Sequence, residues 1–309
     1  LFRSEGEIVV SAKLFLDIVR RLPEEIVFIE TDERMVTYIA CGKVNYQIVG
    51  MSSVEYPDLP SFEQTDRITL NAKILRDMIR QTVYAVSENT AKPIYTGSLY
   101  EIEDGVFKII AIDGYRMAIR SENVDSESKN RFVVPGKTQH EVLKLLTDDE
   151  ENTEIIIGQR HITFKIKNYR IISRLIEGTF IEYKSAIPKE TKTEVVINTR
   201  TIIEAVERMS LLNNDRIQSP VRCIFSDDEI KLSCTSAVGR ANDVISVPII
   251  GESVEIGFNN RYLLDALKNA DTDEIKLILN GSLTAMIVKP VKGDSYLSIV
   301  VPMRLANEN

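Results

Sequence analysis

Apolar residues recur three and four positions apart in short segments separated by β-branched and aromatic runs. In the first two such segments Leu14, Ile18 and Leu22, then Ile74, Leu75, Met78, Ile79 and Val83, fall on one helical face. That spacing predicts helices packed by one side against a sheet. Asn71 and Asn198 follow apolar strand runs, where a side-chain oxygen accepts from the first free amides of a helix. Residues 27–30, 106–112, 154–157 and 162–166 are β-branched and aromatic with turn residues between them, and read as strands. Asn280-Gly281, between apolar runs at 275–279 and 283–288, predicts a tight type I′ hairpin. Strand-rich halves that each carry one helix give an α+β fold class.

One pattern recurs at a fixed interval. Lys13-Leu14-Phe15-Leu16-Asp17-Ile18-Val19-Arg20, Lys137-Thr138-Gln139-His140-Glu141-Val142-Leu143-Lys144 and Arg261-Tyr262-Leu263-Leu264-Asp265-Ala266-Leu267-Lys268 begin 124 residues apart. Each has a base first, an acid four residues on and a second base after three more. Each follows a short apolar run, at Ile8-Val9-Val10, Phe132-Val133-Val134 and Val254-Glu255-Ile256. Downstream, Asn45-Tyr46-Gln47-Ile48 is answered by Asn168-Tyr169-Arg170-Ile171. A second unit starting at Ile68 returns 127 residues later at Val195.

A full repeat therefore holds two units, each with one helix and its strands. Extended backwards, the period puts the first copy of the Ile68 unit about sixty residues before Leu1. The expectation is a chain that starts inside a domain and carries five of six helices. It divides into 1–62, the second half of a first domain, 63–188 and 189–309. The linkers at 52–60 and 188–193 are polar and marked by proline.

Apolar residues make up 44% of the chain, enough for several cores, yet no run of eighteen is free of charge, so no membrane helix is expected. Cys41, Cys223 and Cys234 are odd in number and lack Cys-x-x-Cys spacing, which favours neither a disulfide framework nor a zinc site. A reducing cytoplasm is the expected location. No phosphate-loop, dinucleotide, zinc-protease or serine-nucleophile motif occurs. Only His140 and His161 could transfer protons near neutrality. Asp113 beside Tyr115 and Arg116 is an acid-base cluster in principle and a turn organiser in the alternative reading.

The totals of 38 basic and 46 acidic residues argue against a polyanionic partner. Their distribution argues otherwise. The helical segments hold twelve bases, Lys13, Arg20, Arg21, Lys73, Arg76, Arg80, Lys137, Lys144, Arg200, Arg208, Arg261 and Lys268. Against them stand six acids, Asp17, Asp77, Glu141, Glu204, Glu207 and Asp265. Such a bias suits one surface facing a polyanion. The alternative is pairing along solvated helix faces, at a few tenths of a kcal/mol each. Recurrence in every repeat favours function for the set.

The segment Ala111-Ile112-Asp113-Gly114-Tyr115-Arg116-Met117-Ala118 and the ending Val300-Val301-Pro302-Met303-Arg304-Leu305, set in this order within repeated domains, resemble the bacterial DNA polymerase III beta subunit family, the sliding clamps. The likeness runs over residues 1–305. It implies a DNA clamp fold of repeated domains, with helices lining a central pore and antiparallel sheets outside, assembled as a head-to-tail homodimer. Twelve helices at about 9–10 Å spacing enclose a bore of about 25 Å, wide enough for a duplex, whereas six leave only about 8 Å.

The resemblance implies no catalysis, no cofactor and no metal. Its partners are double-stranded DNA held without sequence preference, the DNA polymerase III alpha subunit and other clamp-binding-motif proteins, and a clamp loader. The positions matching the family's partner-peptide groove are Tyr95, Ile112, Gly114, Tyr115, Arg116, Met117, Ile181, Ser185, Ala186, Ala285, Ile299, Val300, Val301, Pro302, Met303, Arg304 and Leu305. In this reading the aliphatic residues form a floor and Arg116 and Arg304 supply donors at the rim. Ile181 stands where proline is usual and Ser185 where a base often sits, and residues 306–309 extend past the usual terminal leucine. The DNA-facing set is Lys13, Arg20, Lys73, Arg76, Arg80, Lys137, Lys144, Arg200, Arg208 and Lys268. The dimer contacts are Tyr46 and Ile48 with Leu211, Leu212 and Ile217.

Overall fold

The structure is a computed structural model that describes residues 6–23, 26–57, 66–147, 151–213 and 219–305. It separates into two compact units, 1–63 and 64–309. In the first, α1 (Ala12–Val19) accompanies a three-stranded antiparallel sheet of β1 (Val27–Thr31), β2 (Val36–Cys41) and β3 (Val44–Val49). Ser11 caps α1, its Oγ accepting from the Leu14 amide. Ile18 packs on Ile39 and Ile48, flanked by Val10, Phe15 and Leu22. Leu14 departs from the expected face and is 48% exposed. The sheet meets the stripe of Phe15, Ile18 and Leu22, and Leu14 lies at its edge.

Among its described residues the second unit contains two pairs of helices against three antiparallel sheets. Its first part runs β4 (Asp66–Asn71), α2 (Ala72–Val83), β5 (Gly97–Glu103), β6 (Val106–Ile112), β7 (Arg116–Asn123), β8 (Asn130–Pro135), α3 (Gly136–Leu145), β9 (Asn152–Ile157), β10 (His161–Ile166) and β11 (Tyr169–Arg174). Its second part runs β12 (Thr193–Asn198), α4 (Thr199–Ser210), β13 (Val221–Ser226), β14 (Glu229–Ser236), β15 (Gly239–Ser246), β16 (Ile249–Gly251), β17 (Val254–Phe258), α5 (Asn260–Lys268), β18 (Glu274–Leu279), β19 (Met286–Pro290) and β20 (Tyr296–Val300). The repeated base-acid-base segments lie on α1, α3 and α5.

Asn71 accepts from the Lys73 and Ile74 amides and Asn198 from Thr201, as their positions predict. Asn259 does the same for α5, a cap that the sequence reading passed over. Leu75, Met78, Ile79 and Val83 of α2 are buried, but Ile74 is 37% exposed at the rim of the face. One core joins α2 and α3 to β4–β6 and β8–β10, with Phe107 and Phe164 at its centre. The other joins α4 and α5 to β12–β15 and β17–β20, around Phe225 and Phe258.

The sheets are β11-β10-β9-β4, β15-β14-β13-β17 and a nine-stranded sheet, β16-β12-β18-β19-β20-β7-β6-β5-β8. The expected tight turn at Asn280-Gly281 is not formed. Ile278 pairs with Ile287, so residues 280–285 make a longer connection. Asn280 is spent elsewhere, its Oδ1 accepting from the Lys192 amide just before β12.

Tyr100 is fully buried among Phe107 and Phe132, and its hydroxyl has no hydrogen-bond partner among the described residues. Burial raises the phenol above its ordinary value. Tyr100→Phe removes an unsatisfied group at nearly constant volume, so thermal denaturation should show stability unchanged or raised by up to about 2 kcal/mol. A clear loss of stability would mean that the hydroxyl has a partner in solution.

Candidate functional site

The two parts of the larger unit are fused where β20 lies against β7, with Met117 opposite Ile299 and Arg116 opposite Val300. Side chains alternate along a strand, so this register sorts them into two faces. Met117, Ile119 and Ile299 enter an apolar cluster with Leu99, Ile110, Phe180, Ile278 and Ile287. Tyr95, Ile112 and Ala285 stand half-buried around that cluster, and Tyr95 meets Phe180 edge-on at 5.8 Å. Arg116, Ala118, Ser298 and Val300 occupy the opposite face, towards α2 and α5.

This sorting corrects the predicted groove. Tyr95, Ile112, Met117, Ala285 and Ile299 are brought together, but Met117 and Ile299 are only 2% and 3% exposed and form a sealed floor. Val300 is fully buried in the core on the other face. Phe180, Ile278 and Ile287 belong to the cluster and were missed. Ile181, Ser185 and Ala186 are exposed on the segment before β12. Tyr183 pins that segment, its hydroxyl donating at 2.7 Å to the buried Glu101 carboxylate. Ser185 turns its hydroxyl back to the Glu182 carbonyl at 2.8 Å.

The terminal segment is held by its backbone. The Val301 amide donates to the Tyr115 carbonyl at 2.9 Å and the Met303 amide to Gly257 at 2.8 Å. Val301 and Arg304 are exposed, while Pro302, Met303 and Leu305 are half-buried. The turn beneath Val301 places Gly114 at φ +94°, a left-handed conformation that favours glycine. Tyr115 beside it is 60% exposed.

Arg116 is not a rim donor. It is 7% exposed, and its guanidinium is spent on Asp113, 3.0 Å from Nε, and on Asp265 of α5. It also lies over the Tyr262 ring at 4.6 Å. The reason is again strand alternation, which aims residue 116 away from the face that Met117 serves. Nearby, the Tyr84 hydroxyl lies 2.8 Å from Ser298 Oγ and 3.0 Å from the Tyr296 hydroxyl. Burial pushes the Tyr84 phenol up to about 12 and raises Tyr296 as well. Both stay neutral hydrogen-bonding groups through the physiological range.

The predicted DNA-facing bases divide. Lys13, Arg20, Lys73 and Lys137 are exposed and form no ion pair among the described residues. Arg76 is half-buried and has a partner. Lys144 pairs with Glu141 at 2.8 Å and Arg200 with Glu204 at 2.7 Å along their own helices. Lys268 reaches Glu207 at 2.6 Å, Arg208 reaches Asp243 at 2.8 Å, and Arg80 reaches Asp77 and Asp271. Pairing along the helix therefore accounts for part of the set. These are surface pairs worth about 0–1 kcal/mol each, weak enough for phosphates to displace. An open cleft of about 710 Å³ between α4 and α5 is lined by Arg200 and Lys268 together with Asp271 and Asp273.

Of the predicted dimer contacts, Tyr46 is 37% exposed and Leu211 82% exposed. Ile48 is a correction, since it is buried against Ile18 and Ile39 rather than offered at the surface. Leu212 packs partly on the core of its own domain, and Ile217 lies outside the described residues. His140 is exposed on α3. No group of three or more acidic, histidine or cysteine side chains among the described residues could hold a metal ion, and no described helix is long and apolar enough to cross a membrane.

Three consecutive matches to models of one family cover this arrangement: the N-terminal domain of the DNA polymerase III beta subunit at 2–60, its central domain at 69–182 and its C-terminal domain at 184–304. The chain belongs to the DNA polymerase III beta subunit family. The beta sliding clamp of Halalkalibacterium halodurans is 33% identical, over 98% of this chain and 81% of its own length. That of Bacillus subtilis is 32% identical, over 97% and 80%. The crystal structure of the Bacillus subtilis DNA polymerase sliding clamp superimposes with a TM-score of 0.94 at 32% identity, over 97% of this chain and 80% of the other. A putative DNA polymerase III beta subunit from Eubacterium rectale gives 0.92 at 31%, over 97% and 82%. Members of the family are processivity factors without catalytic function, which agrees with the absence of catalytic motifs in the sequence.

The seat of the terminal segment on β17 can be tested without a ligand. A Cβ at Gly257 would lie 2.6 Å from the Leu305 side chain and 3.0 Å from the Met303 carbonyl oxygen. Gly257→Ala should therefore lift residues 303–305 and speed hydrogen exchange at the Met303 amide, with little change in unfolding temperature. Unchanged exchange there would contradict the described seat.

Proposed function

We propose that this chain works as a sliding clamp, two copies closing head to tail so that α1–α5 face duplex DNA and the sheets form the outer shell. The three parts, 1–62, 63–188 and 189–309, each carry one copy of the base-acid-base helix, and the copies begin 124 residues apart. The observation that carries the reading is the repetition itself: three successive clamp-domain matches, with an exposed base heading each of α1, α3 and α5. Contacts from Lys13, Arg20, Lys73, Arg76, Arg80, Lys137, Lys144, Arg200, Arg208 and Lys268 go to phosphates, directly or through water. Phosphates carry no sequence information, so the ring slides.

The half-buried Tyr95, Ile112 and Ala285 around the apolar cluster, together with Val301, Pro302, Met303 and Leu305 of the terminal segment, support a groove that takes an apolar peptide motif of the DNA polymerase III alpha subunit and of other clamp-binding proteins. A clamp loader opens the ring at the contacts between copies, where Tyr46 and Leu211 are exposed. The place of action is the cytoplasm, on the replicating chromosome.

Topology separates this reading from a scaffold that binds proteins alone. Loaded by a clamp loader onto a nicked circular plasmid, the protein should stay bound through gel filtration and be released when the circle is linearised. Equal retention on both forms, or on neither, would contradict encirclement. Direct affinity for linear duplex should fall at least about tenfold between about 50 and 200 mM salt, as counterion release requires.

A further inference from the structure

The acid of the repeated base-acid-base segment serves differently in its second and third copies. Glu141 pairs with Lys144 on the exposed face of its own helix. Asp265, its counterpart on α5, turns inward and accepts from Arg116 Nη1. Arg116 is held on three sides, by Asp265, by Asp113 Oδ2 at 3.0 Å from its Nε, and by the Tyr262 ring at 4.6 Å. Tyr262, one turn before Asp265 on the same helix, also stacks on the exposed Tyr115, with centroids 5.6 Å apart and planes 17° from parallel.

Asp113 closes the set. Its other oxygen accepts from the Tyr115 and Arg116 amides at 2.8 and 3.0 Å, shaping the turn whose Tyr115 carbonyl receives the Val301 amide. A helix on one face of the sheet thus fixes a turn whose next residue, Met117, floors the other face.

We propose that Asp265 is a positioning residue for the peptide groove, acting through Arg116 to hold the turn at 113–116 and, through Tyr115, the terminal segment. This rests on the groove reading above and adds a residue outside the groove to it. Arg116 is 7% exposed, and a buried cation deprived of one carboxylate draws its neighbours into a new arrangement. The turn relaxes, and a peptide must then pay to order it again.

The test is fluorescence anisotropy of a labelled peptide carrying the clamp-binding motif of the alpha subunit, titrated with the full chain. The wild type and the variants Asp265→Asn, Asp265→Glu, Tyr262→Leu and Met303→Ala are compared. The wild type binds, Met303→Ala binds poorly, and Asp265→Asn binds roughly five- to twentyfold more weakly, within the range of couplings through packed networks. Asp265→Glu, which keeps the charge, recovers most of the affinity. Hydrogen exchange at Tyr115, Arg116 and Val301 rises in Asp265→Asn while the core of α4 stays protected, a local pattern that general destabilisation would not give.

Wild-type affinity in Asp265→Asn, beside a weakened Met303→Ala, overturns the positioning role and leaves the groove standing. A wild type that does not bind the peptide overturns both. If Asp265→Asn does not fold, Tyr262→Leu decides, since it removes the other α5 contact to Arg116 without stranding a charge: weaker binding with faster exchange at the Arg116 and Val301 amides supports the role, and unchanged binding or unchanged exchange overturns it.

Discussion

Five residue pairs, from Arg116 with Val300 to Arg120 with Tyr296, join β7 to β20 by main-chain hydrogen bonds. Without them two smaller sheets, β16-β12-β18-β19-β20 and β7-β6-β5-β8, would each end in an unpaired edge next to apolar surface. Such edges are costly when buried and prone to mispairing when exposed. Their union removes both problems at once. It also sets the register that places Met117 and Ile299 on one face and Arg116 and Val300 on the other, so the apolar cluster and the buried arginine follow from one alignment.

The helix-side contacts reinforce that alignment. Gln81 donates to the Asn269 carbonyl at 3.1 Å, Tyr84 meets Ser298 and Tyr296, Arg80 reaches Asp271, and Arg116 reaches Asp265. Each ties α2 or β7 to the part of the chain after residue 260. The exposed pairs along the helices are different in kind. Glu141, Glu204 and Glu207 occupy bases that are weakly held in water, and a phosphate backbone competes for the same cations on equal terms. Lys13, Arg20, Lys73 and Lys137 stay exposed and outside such pairs among the described residues, so the helices keep more base than acid.

The repeat period made helix positions legible, since the base-acid-base segments fall on α1, α3 and α5, and the motifs at 111–118 and 300–305 within the repeats carried the family resemblance. Caps at Asn71 and Asn198 could be read because the helix start needs an acceptor there. Local pattern does not carry what geometry between distant residues decides. Period-two alternation in 116–119 and 296–300 was visible and, applied strictly, would have separated Arg116 from Met117 and Val300 from Ile299. What placed Asp265 against Arg116 was not visible, since 149 residues separate them. Ile48 was misassigned for the opposite reason: an apolar residue on a short strand looks the same whether it faces a partner or its own helix. Asn280-Gly281 carries a strong local turn signal, but the strand pairing at Ile278 and Ile287 and the bond to Lys192 override it.

Encirclement requires a closed ring, and the five helices among the described residues of one chain cannot enclose a duplex at helix-packing distances. Encirclement therefore depends on association between copies. Sedimentation equilibrium of the full chain at micromolar concentration, in moderate salt and without DNA, tests it most directly. The account predicts a species of twice the 35.0 kDa chain mass. A single species at the mass of one chain across that range would contradict it.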